Sequence, residues 1–156
     1  MTVGPPVEDP VDDSVVALAS VGQRLAGALV DGLLTSMVVV VPLLLGLVDV
    51  SRLQGGIPSG WALALLVFGA VYTVVPVALW GQTMGKVAVG TRVVAEGDGS
   101  VPGWRRSAVR WGLPGLVGRL PYVGLLVSFA IMASLVLDAR RRGLHDKAAG
   151  TIVVRA

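Results

Sequence analysis

The sequence RLAGALVDGLLTSMVVVVPLLLGLV, residues 24–48, decides the class of fold that this chain adopts. Its segment Leu25–Val48 has 24 residues and one charge, Asp31. As a helix it would be about 36 Å long, enough to cross a bilayer with some tilt. A second apolar segment, Trp61–Trp80, carries a Trp at each end, where the aromatic belts of membrane helices lie. Both segments indicate a protein whose main solvent is lipid.

The composition agrees with a membrane protein. The chain has 156 residues, a length typical of one domain, with 54% hydrophobic and 15% charged residues. Its mean hydropathy is +0.77. The absence of cysteine excludes disulfides and thiolate metal sites, and we expect no cofactor and no metal. The net charge of +3 comes from basic residues beside apolar segments, which favours contact with anionic lipid over nucleic acid.

Asp31 is the most informative single residue. A carboxylate inside an apolar helix costs roughly 2.5–3.5 kcal/mol on insertion scales, so it implies a partner, a wet cavity or a changed protonation state. Arg24 lies seven residues earlier, within about 20° of two full helical turns, so the two side chains share a face. Asp31 is therefore either a structural partner of Arg24 or of a basic residue on another helix, or a carboxylate that carries protons or cations.

The remaining segments predict an all-α membrane bundle with a small cytoplasmic β element. Residues 1–22 form an acidic tail that is expected to be largely disordered, and Ser14–Gln23 is a candidate short interfacial helix. Val87–Ala95 and Thr151–Val154 are β-branched strand candidates that should pair in one sheet. Pro121 divides the last apolar region into Trp104–Gly118 and Tyr122–Leu137.

Basic residues fix the expected topology. They cluster before and after the last apolar region, and the positive-inside rule places both clusters in the cytoplasm. We therefore expect both termini in the cytoplasm, with three transmembrane helices and one short membrane helix, residues 104–118. The short helix either crosses a locally thinned bilayer, tilts, or enters and leaves on the same side. The alternative is a plain three-span topology, with one basic cluster outside.

Four motifs occur in a recognisable order. They are Arg24-x6-Asp31, Gly81-Gln82-Thr83-Met84-Gly85-Lys86, Val93-Val94 with Asp98-Gly99, and Gly143-Leu144-His145-Asp146-Lys147-x2-Gly150-Thr151. In this combination the chain resembles the RDD family of bacterial integral membrane proteins, named for one Arg and two Asp. The resemblance covers Gln23 to Val154, within an RDD-like membrane domain of residues 23–156, and matches Arg24, Asp31 and Asp146 to those three residues. It departs from the family at Met84, where Pro is expected.

The resemblance implies a multi-pass protein of the bacterial inner membrane with Arg24, Asp31 and Asp146 as an intramembrane polar core. Transport is its implied activity, with cation/proton exchange in some members. We expect a transporter or transport-associated protein for a small cation or polar solute, as a homo-oligomer or part of a larger complex. The alternative is a non-transporting accessory or scaffold subunit. An enzyme is not expected.

The other polar residues have structural as well as functional interpretations. The Gly81–Lys86 segment lacks the spacing and the Ser or Thr of a phosphate-binding loop, so it predicts a helix C-cap and turn with Lys86 at the headgroups. Asp146 should cap a turn or pair with a basic residue such as Arg24. The run Arg140, Arg141 and Arg142 predicts a topology anchor that contacts anionic lipid. Secondary site candidates are Arg119, which snorkels or lines a pathway, Lys86, Asp138 and His145.

Overall fold

The computed structural model describes residues 17–48, 59–120 and 122–156, so most of the expected acidic tail lies outside the described residues. The elements in chain order are α1 Val21–Leu44, α2 Ser59–Trp80, α3 Met84–Ala88, β1 Thr91–Ala95, α4 Gly103–Gly115, a 3-10 turn Val117–Arg119, α5 Val123–Leu137, α6 Leu144–Ala149 and β2 Thr151–Arg155. The protein is thus mostly helical with one small sheet.

Helix α1 begins at a capping box. The Ser20 hydroxyl accepts a hydrogen bond from the backbone N–H of Gln23 (3.1 Å), and the Gln23 side chain accepts one from the N–H of Ser20 (3.0 Å). Leu18, just before this cap, forms a β-bridge with Val154. The separate interfacial helix expected over residues 14–23 is therefore wrong for residues 17–20, which are held against the sheet, and Val21–Gln23 already belong to α1; residues 14–16 lie outside the described residues.

Two spans are clear among the described residues. Helices α1 and α2 are long and apolar enough to cross a membrane, and few of their residues are buried inside the protein. Large apolar side chains such as Leu29 and Leu33 are more than half exposed, so these faces need lipid around them. Helix α5 is also apolar, but its 15 residues extend only about 22 Å, less than the roughly 30 Å hydrocarbon core.

The short membrane segment forms a hairpin with α5. Helix α4 starts at the sheet end of the bundle and packs along α2 and against α6. After the 3-10 turn the chain returns through α5, and Gly124 lies so close to Gly118 that a side chain at Gly124 would collide with the Gly118 carbonyl. At the turn, Arg119 Nη2 donates to the carbonyl of Leu65 in α2, with an N···O distance of 3.4 Å.

The two predicted strands pair, as expected. β1 and β2 are antiparallel, with Val93 opposite Val153. The predicted start of the first strand is wrong, because Val87 and Ala88 belong to α3 and the chain then turns through Gly90, whose φ is +62°. β-branched composition alone could not show that contacts to α1, described below, hold Met84–Ala88 in a helical turn.

The sheet closes the end of the bundle where α1 begins and α2 ends. Val93 N–H donates to the Gly81 carbonyl (2.7 Å) and Ala19 N–H to the Val153 carbonyl (3.0 Å). Ala19, Val77, Val93 and Val153 are the buried hydrophobic cluster that results. The first residue after α2, Gly81, has a φ of +72°, which is the helix C-cap that the sequence predicts.

Gly81→Ala should destabilise the protein, since the left-handed backbone alone costs a side chain about 1–2 kcal/mol and the new Cβ would collide with the Val93 carbonyl. Thermal unfolding of purified protein in detergent measures the effect. Gly97→Ala, where nothing lies within 4 Å of the added Cβ, is the matched control. Equal unfolding temperatures for the two variants would contradict this packing.

Candidate functional site

Asp31 occupies a site where three helices meet. Its Oδ1 accepts hydrogen bonds from the Tyr72 hydroxyl (2.8 Å) in α2 and the Gly85 backbone N–H (2.8 Å) in α3. Its Oδ2 accepts one from the Thr83 hydroxyl (2.6 Å) and lies 3.7 Å from Lys86 Nζ. Both carboxylate oxygens are thus occupied by donors, and the side chain joins α1 to α2 and α3. These five residues are called the Asp31 cluster below.

The Gly81–Lys86 motif makes this cluster through a close approach of two backbones. A Cβ at Gly85 would collide with the Gly27 carbonyl and lie 2.7 Å from Cγ of Asp31, so only glycine lets α3 lie this close to α1. Met84, the departure from the family motif, is the first residue of α3, where Pro is also favoured. Met84 is 66% exposed, and its side chain is not among the groups that bond Asp31.

Asp146 lies in a second cluster, at the sheet end of the bundle. The side chain is fully buried; Oδ2 is 2.7 Å from Arg24 Nη1, and Oδ1 forms an ion pair with Arg110. Oδ2 also accepts a hydrogen bond from the Gly143 N–H (3.1 Å) and so caps α6. Burial raises the pKa of Asp146, but the charges of Arg110 and Arg24 outweigh it and hold the pKa below its usual value. Asp146, Arg24, Arg110 and Gly143 form the Asp146 cluster.

Arg24 and Asp31 do not pair, although they share a face of α1. Seven residues separate them by about 10 Å along the helix axis, too far for a direct ion pair. Arg24 instead bonds Asp146, so the predicted pairing of Asp146 with Arg24 and its predicted capping role are both confirmed. The sequence predicted one polar core, but the structure has two clusters. Helix α1 contributes a residue to each of them, Arg24 to one and Asp31 to the other.

Five residues of these clusters were not among the predicted site residues. Tyr72, Thr83 and Arg110 contribute side chains, and Gly85 and Gly143 contribute backbone N–H groups. Thr83 lies inside the motif that carries the family resemblance, so its position was visible but its role was not. Tyr72 offers one signal, a hydroxyl inside an apolar span, which requires a hydrogen-bond partner when buried. Arg110 was grouped with the basic residues that set topology. Only the packing of α4 against α6 brings it to Asp146.

Lys86, a member of the Asp31 cluster, and His145, beside the Asp146 cluster, are both largely buried. Lys86 points to Asp31 and not to the headgroups, and burial together with the charge of Arg110 lowers its pKa to about 8. His145 Nε2 lies 3.5 Å from Asp146 Oδ1. Burial, with Arg110 next in effect, lowers the pKa of His145 to about 4, so the imidazole is neutral at pH 7.

The basic run after α5 is engaged in ion pairs. Arg140 and Arg142 both bind Glu96 Oε1, at 2.7 and 2.6 Å, and Arg142 also bonds Asp138 (3.2 Å). Asp138 pairs with Lys147 as well (2.8 Å), and these hydrogen bonds, that to Lys147 first, hold its pKa below the usual range. The run therefore ties the end of α5 to the turn after β1. Arg141 and Arg140 are exposed and remain the candidates for lipid contact.

Arg119 lines a cavity of about 330 Å³ between α1 and α2. Three hydroxyl side chains, Thr35, Ser36 and Thr73, line the same cavity. Thr35 and Ser36 donate to carbonyls of their own helix, so their hydroxyl oxygens can still accept. Among the described residues, no group of three or more His, Cys, Asp or Glu is placed to hold a metal ion.

Comparison with known proteins identifies one family. The model of the RDD family matches residues 18–150, which is most of the chain. The matched segment contains both clusters. No curated protein and no solved structure matches the chain.

The lowered pKa of His145 predicts a pH dependence of stability. The unfolded chain binds the proton near pH 6.5 and the folded chain near pH 4, so stability is full above pH 6.5 and falls as the pH drops toward 4. The loss should reach about 3 kcal/mol. His145 is the only His in the chain. His145→Gln should remove this component of a thermal-unfolding series from pH 7.5 to 4.5, measured without an affinity tag. A variant that parallels the unsubstituted protein would contradict it.

Proposed function

Because the chain belongs to the RDD family, we propose that it is a multi-pass protein of the bacterial inner membrane, without enzymatic activity, that acts as an accessory or scaffold subunit of a larger membrane complex. The proposal rests on one observation, which is that both carboxylate oxygens of Asp31 are already bonded. A cation carrier needs a carboxylate whose oxygens are free to exchange protons or ions. Here three hydrogen-bond donors and one ammonium group 3.7 Å away, from α2, α3 and the segment between them, occupy both oxygens.

The placement of the carboxylates supports a structural role. Asp31 joins α1 to the elements after it, and Asp146 joins α1 to α4 through Arg24 and Arg110. Buried charge networks are poor sources of net stability but good determinants of register. In lipid, the hydrophobic effect does not drive apolar helix faces together, so polar contacts help to determine how the helices are arranged. The two clusters determine the helix arrangement in this way, and the outer surface of the bundle remains apolar and faces lipid or partner helices.

The proposed topology places both termini in the cytoplasm and makes the α4–α5 hairpin re-entrant. The Arg155 N–H donates to the Ala17 carbonyl (2.8 Å), so both ends of the described chain lie at the sheet. At the other end of the hairpin, Arg119 contacts Leu65, which is 15 residues before Trp80, about 22 Å along α2. That depth falls short of a full crossing of about 30 Å, and a long Arg side chain can reach the outer interface from it.

Transport of a small polar solute is a second candidate, and the cavity at Arg119 favours it. A guanidinium and three hydroxyl groups line a space between α1 and α2 at membrane depth. Polar residues at that depth commonly mark substrate pathways. This bundle is small, so an enclosed path would need a homo-oligomer.

Asp31→Asn tests the proposed role. The variant keeps the size of the side chain but replaces one acceptor oxygen by a donor that faces other donors, at a cost of about 1.5–3 kcal/mol for each charge-assisted hydrogen bond lost. We expect a lower unfolding temperature and a lower yield in the membrane. Asp98→Asn, in an exposed turn, is the matched control and should behave as the unsubstituted protein.

A flux assay on the same proteins separates the two candidates. In proteoliposomes, the unsubstituted protein should move Na⁺, Li⁺ and K⁺ against a pH gradient no faster than protein-free vesicles. Flux in the unsubstituted protein that disappears in a stably folded Asp31→Asn variant would contradict the accessory role and establish Asp31 as a transport carboxylate.

The topology is tested with reporters that are active on one side of the membrane only. Fusions at either terminus should report the cytoplasm, because the basic residues and the sheet share one end of the bundle. A fusion at Ala156 that reports the outside, with the N-terminal fusion inside, would contradict the re-entrant hairpin.

A further inference from the structure

A cavity of about 220 Å³ lies between the two carboxylate clusters, at the sheet end of α1 and α5. Four side chains that carry or can carry positive charge line it: Arg24, Lys86, Arg110 and His145. The other walls are mainly apolar and come from the first turns of α1 and the last turns of α5. The volume is several times the roughly 30 Å³ that one water molecule occupies in the liquid. It therefore has room for a group of several heavy atoms.

The charges around this cavity do not balance. Arg24, Arg110 and Lys86 are three cations, and the carboxylates of Asp31 and Asp146 that pair with them are two anions. The exposed fractions of the three cationic side chains are only 7%, 11% and 18%. His145 adds no charge at pH 7. A buried charge without a counter-charge is strongly unfavourable, so the excess of one positive charge calls for an anion.

Two buried nitrogen atoms beside the cavity are also unpaired. Arg24 Nε and His145 Nδ1 are buried and have no hydrogen-bond partner among the described residues. The Nε–H of an arginine is always a donor, so at least one buried donor at this cavity lacks an acceptor. Buried polar groups are normally paired, and each exception requires an explanation. Each of these two atoms exposes less than 1 Å² of surface, so an anion in the cavity would supply the missing negative charge without contacting them as the side chains stand.

The apolar walls distinguish a lipid from a free anion. Leu25 of α1 and Met132 of α5 line the cavity and are still 38% and 40% exposed, so its apolar side opens between two membrane helices. A free ion gains nothing from such walls, whereas the first methylene groups of an acyl chain do. We propose that this cavity binds the anionic head group of a membrane lipid, with a phosphate or carboxylate against Arg24, Lys86 and Arg110. No bond is made or broken in this binding.

This assignment is independent of the accessory role proposed above and of the exposed run Arg140–Arg142. Arginine binds phosphate or carboxylate oxygens with two parallel N–H groups, and lysine adds a mobile point charge. The Asp146 cluster holds the two guanidinium groups in place before the ligand arrives, which reduces the ordering cost of binding.

The test uses a matched pair of substitutions on α1. Ala28 lines the cavity, and its methyl group takes no part in the ion pairs of either cluster, so Ala28→Leu should fill the cavity and leave those ion pairs intact. Ala26, also exposed on α1 but outside the cavity lining, gives the control Ala26→Leu. The full-length protein is placed in phosphatidylcholine nanodiscs with increasing phosphatidylglycerol, and the unfolding temperature is measured. Inorganic phosphate added to pure phosphatidylcholine discs is the second probe.

We expect phosphatidylglycerol to raise the unfolding temperature of the unsubstituted protein and of Ala26→Leu by several degrees, and Ala28→Leu to lose at least half of that shift. Lys86→Gln, which removes the excess charge, should also weaken the shift. An equal shift with inorganic phosphate would overturn the lipid assignment. A full shift in Ala28→Leu and Lys86→Gln, or no shift in the unsubstituted protein, would overturn the site.

Discussion

The carboxylate of Asp31 is the contact on which the arrangement of the bundle depends. Helix α1 packs chiefly on α3, and α2 packs chiefly on α4, and this side chain provides a direct hydrogen bond between the two long helices. Tyr72 approaches it from α2, and Gly85 from α3. A charge that the bilayer penalises is stabilised here by donors from three segments, and the helices must adopt one register to supply them.

The Asp146 cluster holds the same helix, α1, at a different position along its axis. Arg24 is about two turns from Asp31, and it carries the connection to Asp146 and, through Asp146, to Arg110 of α4. Arg24 and Asp31 therefore have complementary positions: one helix supplies a cation at the sheet and an anion inside the bundle. The cavity between the clusters has an excess of positive charge. An anionic ligand can therefore bind there while Asp31 and Asp146 keep their present hydrogen bonds and ion pairs.

The sequence predicted the elements better than their contacts. Apolar length and Trp placement indicated α1 and α2, and β-branched composition indicated the pairing of β1 with β2. Equal angular position suggested an Arg24–Asp31 pair, but a helical wheel ignores the 10 Å along the axis. The pairing of Asp146 with Arg24 was predicted because both were placed at one interface. Tyr72 and Arg110 depend on how α2 and α4 pack, which local sequence does not encode.

A double-mutant cycle between Asp31→Asn and Tyr72→Phe tests the central claim most directly. Tyr72→Phe removes only the hydroxyl that donates to Asp31 from α2. The free energy of unfolding is measured for the four proteins in one detergent. If Asp31 holds α1 to α2, the two changes should be non-additive, with a coupling energy of about 1 kcal/mol or more. Additive effects would show that the two residues act separately and would contradict the account.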